Sequence, residues 1–239
     1  MERVDKRLWR ATIGYPLAAV GTGVPQLLNL LYGNVSLFPG VRVVAVEWPQ
    51  GLVDALPGPA FGIAGLRALL PQAAGRAMLC TALKPIGLTG EELADLARRF
   101  TRGGADLVKD DHGLADQASA PFAERVVRCA EAVAAARVEA GTHTLYFPHL
   151  SGPVETLAAR LELLRRLGLR GAMVNPFVLG LDTLRWLAET SGLLLLAHPT
   201  WSGTLFAPGH GIAPEVVYGE LLRLLGADGV IYVNPGGRF

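Results

Sequence analysis

The sequence predicts an α/β protein with a mainly parallel sheet, and three observations carry that reading. Short apolar runs recur from residue 76 onward, each is followed by an amphipathic stretch of helical length, and no hairpin turn joins one run to the next. Polar side chains then collect where the runs end: Lys84, Lys109-Asp110-Asp111, His149, Asn175, His198 and Asn234. Functional groups at the C-terminal ends of several parallel strands are the arrangement of a (β/α) barrel mouth. Six such runs are too few to close eight strands, so the expected architecture is an incomplete TIM-type (β/α) barrel of about six units. A partial α+β piece precedes it.

In that first piece, Arg10–Pro16 and Val41–Glu47 read as strands and Val24–Leu31 as a helix. Residues Pro49–Gly65 are rich in Pro and Gly and read as a linker, which sets the expected domains at 1–60 and 61–239. The barrel strands are expected at Arg76–Leu83, Ala105–Val108, Thr142–Phe147, Gly171–Val174, Leu193–Ala197 and Gly229–Val233. Helices are expected at Thr89–Arg99, Pro121–Glu139, Pro153–Leu167, Leu181–Glu189 and Pro214–Leu225. The first of these opens with Thr89 and Glu92 at capping-box spacing.

Composition narrows the class. With 239 residues, 51% hydrophobic and 18% charged, the chain has the apolar content for a packed core and is not a disordered tail. A formal charge of +1 leaves no long-range field to favour nucleic acid or an anionic membrane. The charged start MERVDKRLWR is unlike a signal peptide and no run of 18 apolar residues occurs, so no membrane span and a cytoplasmic location are expected. The two cysteines, Cys80 and Cys129, read as buried thiols in a reducing compartment. No GxxxxGK[ST] or GxGxxG phosphate loop follows an early strand.

Of the 22 basic residues only Lys6, Lys84 and Lys109 are lysines, and lysine alone offers an amine that can deprotonate or become carbamylated. The densest cluster is Leu107-Val-Lys-Asp-Asp-His-Gly-Leu-Ala-Asp-Gln117. Asp111 and His112 offer oxygen and nitrogen donors to a metal, and Lys109 joins them as a neutral amine or a carbamate; a solvated, salt-bridged loop is the competing reading. Lys84 precedes Pro85 at a strand end, where an ammonium can stabilise an enolate or phosphate, or act as a base with a lowered pKa. A salt bridge to a helix is its bland alternative. His198 ends an apolar strand and is either a site residue or a satisfied near-core imidazole. His143 reads as surface, and His149 and His210 as loop or supporting groups. Glycine turns at Ser202-Gly203 and Pro235-Gly236-Gly237 can present backbone amides to an anion.

These motifs resemble one family in order. Thr81-Ala-Leu-Lys84-Pro85 and Gly103-Gly104-Ala-Asp-Leu-Val-Lys109-Asp110-Asp111 resemble the TIKPK and GGxDxxKDDE pair of the RuBisCO large subunit and its RuBisCO-like relatives. Gly33-Asn34-Val35 resembles the family's GNVFG loop; Pro121-Phe122, Arg125, Ser151-Gly152, His198 and Ser202-Gly203 continue the likeness, and Asn234-Pro-Gly-Gly-Arg-Phe239 resembles its sixth strand end.

The resemblance implies an N-terminal α+β domain beside a barrel, and a homodimer whose active sites are shared between subunits. It also implies Mg2+ held by a carbamylated Lys109, Asp111 and the residue at His112. In the same terms Lys84 handles proton transfer or enediolate stabilisation, Asn34 reaches the site from the N-terminal domain, and His198 lies at the reacting end of the substrate. Ser202, Gly203, Asn234, Gly236 and Gly237 fall where substrate or its phosphate is bound. Three departures separate the chain from true carboxylases: His112 replaces the glutamate of KDDE, Ile86 the second lysine of KPK, and His198-Pro-Thr-Trp-Ser202 the HRAMH-like stretch. The expected activity is therefore not ribulose bisphosphate carboxylation. It is enolisation of a phosphorylated or acidic sugar, as in 5-methylthioribulose 1-phosphate isomerases, with a 3-oxo sugar acid decarboxylase or transcarboxylase as the alternative. Much of the family's N-terminal domain and its last two barrel strands have no counterpart here, so the further alternative is a noncatalytic fragment that dimerises or binds a relative.

Overall fold

A computed structural model describes residues 1–21 and 23–232. Asn234, Gly236 and Gly237, expected at a phosphate, lie outside them. In chain order the elements are β1 (Glu2–Arg3), β2 (Trp9–Arg10), α1 (Val24–Tyr32), β3 (Arg42–Val43), α2 (Gln50–Val53), α3 (Gly62–Leu69), β4 (Cys80–Leu83), α4 (Gly90–Arg102) and β5 (Leu107–Asp110). They continue with α5 (Phe122–Ala140), β6 (Leu145–Phe147), α6 (Val154–Arg166), β7 (Gly171–Val174), α7 (Pro176–Leu179), α8 (Leu181–Thr190), β8 (Leu194–Ala197), β9 (Gly211–Ile212), a π-helical turn Glu215–Leu221 running into α9 (Leu222–Leu224), and β10 (Gly229–Val230).

The expected barrel strands are present and all parallel. They form the sheets β4-β5-β6 and β7-β8-β10, which a parallel bridge from His149 to Met173 joins. Strand neighbours thus follow sequence order, as in a barrel wall, and the outer edges of β4 and β10 have no strand partner among the described residues. Side chains alternate between two faces. Val108, Tyr146, Ala172, Val174, Leu195 and Ala197 join the helices in the larger core. Leu107, Leu145, Phe147 and Leu194 face the interior, over a base made by Leu70 and Ala73. Gly171 is required there: a Cβ would stand 2.3 Å from Phe147 Cζ, so only glycine leaves room for the ring.

Thr89 caps α4 as expected, accepting the Glu92 N–H at 3.2 Å while Glu92 accepts the Thr89 N–H at 2.8 Å. Leu93, Ala97 and Thr101 then fall on one buried face, and α4 packs along α5. A repeated Gly-Ala-Asp, at 104–106 and 226–228, staples the base of the wall. Asp106 accepts the Leu79 N–H at 2.8 Å and pairs with Arg76 at 2.7 Å; Asp228 accepts N–H groups from Phe61, Gly62 and Leu195 at 2.6, 2.8 and 3.0 Å. Each carboxylate therefore reaches the strand beside its own, and Asp228 also holds the start of α3.

The first 60 residues differ from expectation in detail. Residues 11–16 form no strand; Trp9–Arg10 pairs instead with Glu2–Arg3 in an exposed antiparallel ribbon. The expected strand 41–47 shrinks to β3, because its partner β9 offers only two residues for parallel pairing. The expected linker contains α2 and the start of α3, whose helical turns follow Pro49 and the left-handed Gly62. The expected helix 214–225 forms but opens with the π-helical turn. Cys129 is buried as expected, and burial pushes its thiol up to about 12. Cys80 is exposed, because β4 is flanked on one side only. Among the described residues no helix is long and apolar enough to cross a membrane.

Candidate active site

β5 delivers the central residues. Lys109 pairs across the sheet with Ala82 and Phe147, which sets it on the interior face, and it is 9% exposed. Its Nζ donates to the Asp110 carbonyl at 3.2 Å. Burial holds this amine below the usual lysine range; Lys84 adds to the shift, and Asp111 opposes it. Asp111, just past the strand, is also buried. Burial would raise its carboxyl, but the Gly113 N–H at 2.9 Å and Lys84 Nζ at 3.2 Å outweigh that and keep it below the ordinary carboxylate range. Lys84 itself has a side chain 65% exposed, so it reaches the buried carboxylate from the open mouth.

Two histidines complete the constellation. His112 Nδ1 lies 3.5 Å from Asp111 Oδ1, and its ring stacks on His198 with centroids 4.3 Å apart and an interplanar angle of 19°. The imidazole of His198 is held neutral, its pKa lowered to about 3 by burial and then by the charges of His112 and Lys109. The structure thus brings together Lys84, Lys109, Asp111, His112 and His198, which the sequence placed on three strand ends.

Around them the loop that follows β5 is tied down by neighbouring strand ends. His149 Nδ1 donates to the Leu114 carbonyl at 2.8 Å, and Asn175 Nδ2 reaches the His112 carbonyl at 3.5 Å. Both side chains are buried, with His149 Nε2 and Asn175 Oδ1 unpartnered among the described residues. Arg125 is fully buried and bonds Asp110, Ala115 and Ala120. Its signal in the sequence is an arginine inside the apolar stripe Phe122, Val126, Cys129, Val133 of α5.

Among the described residues no hydrogen bond joins the remaining candidates to the side chains of Lys84, Lys109, Asp111, His112 or His198. Ser202 is buried, its hydroxyl donating to the Pro199 carbonyl and bonding the Tyr218 hydroxyl, so it is engaged inside the fold. Gly203 is exposed on the same turn. Asn34 is exposed at the start of a short 3-10 turn and makes no side-chain hydrogen bond to Lys84, Lys109, Asp111 or His198 among the described residues. His143 is exposed, as expected.

A profile of the family "Ribulose bisphosphate carboxylase large chain, catalytic domain" matches residues 62–235. The chain belongs to the RuBisCO large-chain family. Within it, the chain is similar to ribulose bisphosphate carboxylase-like protein 1 of Rhodopseudomonas palustris, 46% identical over 215 residues that cover 90% of this chain and 57% of that protein. It is also similar to the 5-methylthioribulose-1-phosphate isomerase of Rhodospirillum rubrum, 43% identical over 93% of this chain and 58% of the relative. The crystal structure of the RuBisCO-like protein from Rhodopseudomonas palustris superimposes with a TM-score of 0.86 and 40% identity, covering 93% of this chain and 62% of that one. The chain thus spans a little under three-fifths of the length of these curated relatives.

Members of the RuBisCO family generally use Mg2+ and a carbamylated lysine. The residues here fit that group when Lys109 is counted as a donor. Among the described residues no three His, Cys, Asp or Glu side chains form a ready metal cluster, so a metal at Asp111 and His112 would need the oxygen pair of a Lys109 carbamate. Burial favours the neutral amine from which a carbamate forms, and Lys84 already holds a cation against Asp111 Oδ2.

Proposed function

We propose that the protein enolises a phosphorylated or acidic keto sugar and thereby isomerises it, with 5-methylthioribulose 1-phosphate as the favoured substrate. The observation that carries this reading is the convergence of Lys84 on Asp111, beside buried Lys109, with the His112–His198 stack reaching the same carboxylate through His112. The 43% identity to the Rhodospirillum rubrum isomerase supports the choice of substrate.

Lys109 as carbamate, Asp111 and His112 are the residues that would hold Mg2+, which when bound polarises a substrate carbonyl and stabilises enediolate charge. This chain's own groups do the rest. Lys84, exposed at the mouth and paired with Asp111, takes the proton beside the carbonyl once it has given up its own, or as an ammonium stabilises the enediolate. His198 is neutral and donates a hydrogen bond to a substrate oxygen without contributing a charge. The exposed apolar residues Trp9, Ile13, Leu37 and Phe38 support self-association, through which Asn34 of a second copy would complete the site.

The test is 5-methylthioribulose 1-phosphate in heavy water, with Mg2+ and bicarbonate. Deuterium should enter at the carbon beside the carbonyl, and Lys84→Met should abolish it. A folded protein that shows no exchange overturns the proposal. Carbon dioxide released from a 3-oxo sugar acid, without such exchange, favours decarboxylation instead.

A further inference from the structure

Asp110 stands between Lys109 and Asp111 in sequence yet points away from both. Alternation along β5 turns it toward α5, where its carboxylate is 0% exposed. Oδ1 accepts the Tyr146 hydroxyl at 2.8 Å, and Oδ2 accepts Arg125 Nε at 3.2 Å and the His149 N–H at 3.0 Å. The same guanidinium donates to the carbonyls of Ala120 at 2.8 Å and Ala115 at 3.0 Å. One buried ion pair therefore joins the end of β5, the loop 111–120, the first turn of α5 and the end of β6.

Burying two charges costs about as much as their attraction returns, so such a pair adds little net stability. What it imposes is geometry, because every donor and acceptor must be met at once. The segments it joins carry the reacting groups, Lys109 and Asp111 on either side of Asp110 and His112 in the tied loop, while His149 at the neighbouring strand end bonds the same loop at Leu114.

We propose that Asp110 and Arg125 are positioning residues, which hold the loop 111–120 so that Lys109, Asp111 and His112 present one fixed constellation to substrate. The kinetic consequence rests on the enolisation reading; the ordering of the loop does not.

Arg125→Lys separates placement from stability, since it keeps the charge but cannot bond Asp110, Ala115 and Ala120 together. Expected is a cooperative melt, amide hydrogen exchange at Gly113, Leu114, Ala115 and Ala120 faster by about tenfold or more, and kcat for deuterium exchange lower by about 100-fold with KM little changed. A folded Arg125→Lys variant with parental loop exchange overturns the inference. If the parent shows no turnover, the enolisation reading fails while loop exchange still decides this one. Should Arg125→Lys not fold, Tyr146→Phe removes a single bond to Asp110, and faster exchange at the same amides supports the inference whereas unchanged exchange refutes it.

Discussion

His198 Nδ1 accepts the backbone N–H of Thr200 at 3.1 Å, with Thr200 Oγ1 2.6 Å away. A nitrogen that receives an N–H carries no proton of its own, so the neutral ring is the Nε2–H tautomer and a donor at its free end. This is the form in which His198 can bond a developing oxyanion.

The same relationship sets a pH dependence. The imidazole titrates near 6.5 when unfolded and near 3 when folded, so the unfolded chain binds more protons between those values. Stability at this position is full above the unfolded pKa and falls as pH drops from about 6.5 toward 3. An NMR titration should show an uncharged His198 ring with its proton on Nε2 from pH 8 down to pH 4; a midpoint near 6.5 would remove the assigned tautomer and role.

Asp106 supplies a second acid limit. The Arg76 bond is the chief cause that holds its carboxyl at about 2, against the opposing effect of burial. A depressed carboxyl stabilises above the unfolded value near 4 and loses that contribution as pH falls through 4 toward 2. Arg76 is about half exposed, so solvent screening weakens the effect. Asp106→Asn should flatten the acid limb of the stability curve; an unchanged limb would exclude the ion pair as its source.

Gly171 and Phe147 compete for one space, and Gly171→Ala should test it. The added methyl meets the Phe147 ring at 2.3 Å, so ring or strand must shift at a cost of about 1–3 kcal/mol. Urea unfolding measures the loss, and Gly171→Ala with Phe147→Leu should recover part of it.

The start of α4 makes a simpler claim. Thr89→Ala removes the side-chain acceptor of the Glu92 N–H and half of the reciprocal cap, and should cost about 1 kcal/mol in thermal or urea unfolding. A change of under a few tenths would mean that packing of Leu93 and Ala97, rather than the cap, holds this turn.

The βα rhythm is legible from residue order alone, because apolar runs and amphipathic stretches report burial on two faces and one face respectively. The same order tells which strand ends carry Lys84, Lys109, Asp111, His112 and His198, since a polar residue directly after an apolar strand has one place to go. Only the tertiary structure decided how those ends meet: the Lys84–Asp111 contact and the His112–His198 stack join residues 27 and 86 positions apart, and no local pattern encodes such a separation. The short strand at β3 and the staples at Asp106 and Asp228 are of the same kind, each made by partners elsewhere in the chain. Asp110 shows the limit most plainly. Its neighbours mark it as one more acid of the mouth, yet the alternation of β5 turns it toward α5, where Arg125, Tyr146 and His149 supply the partners a buried carboxylate requires.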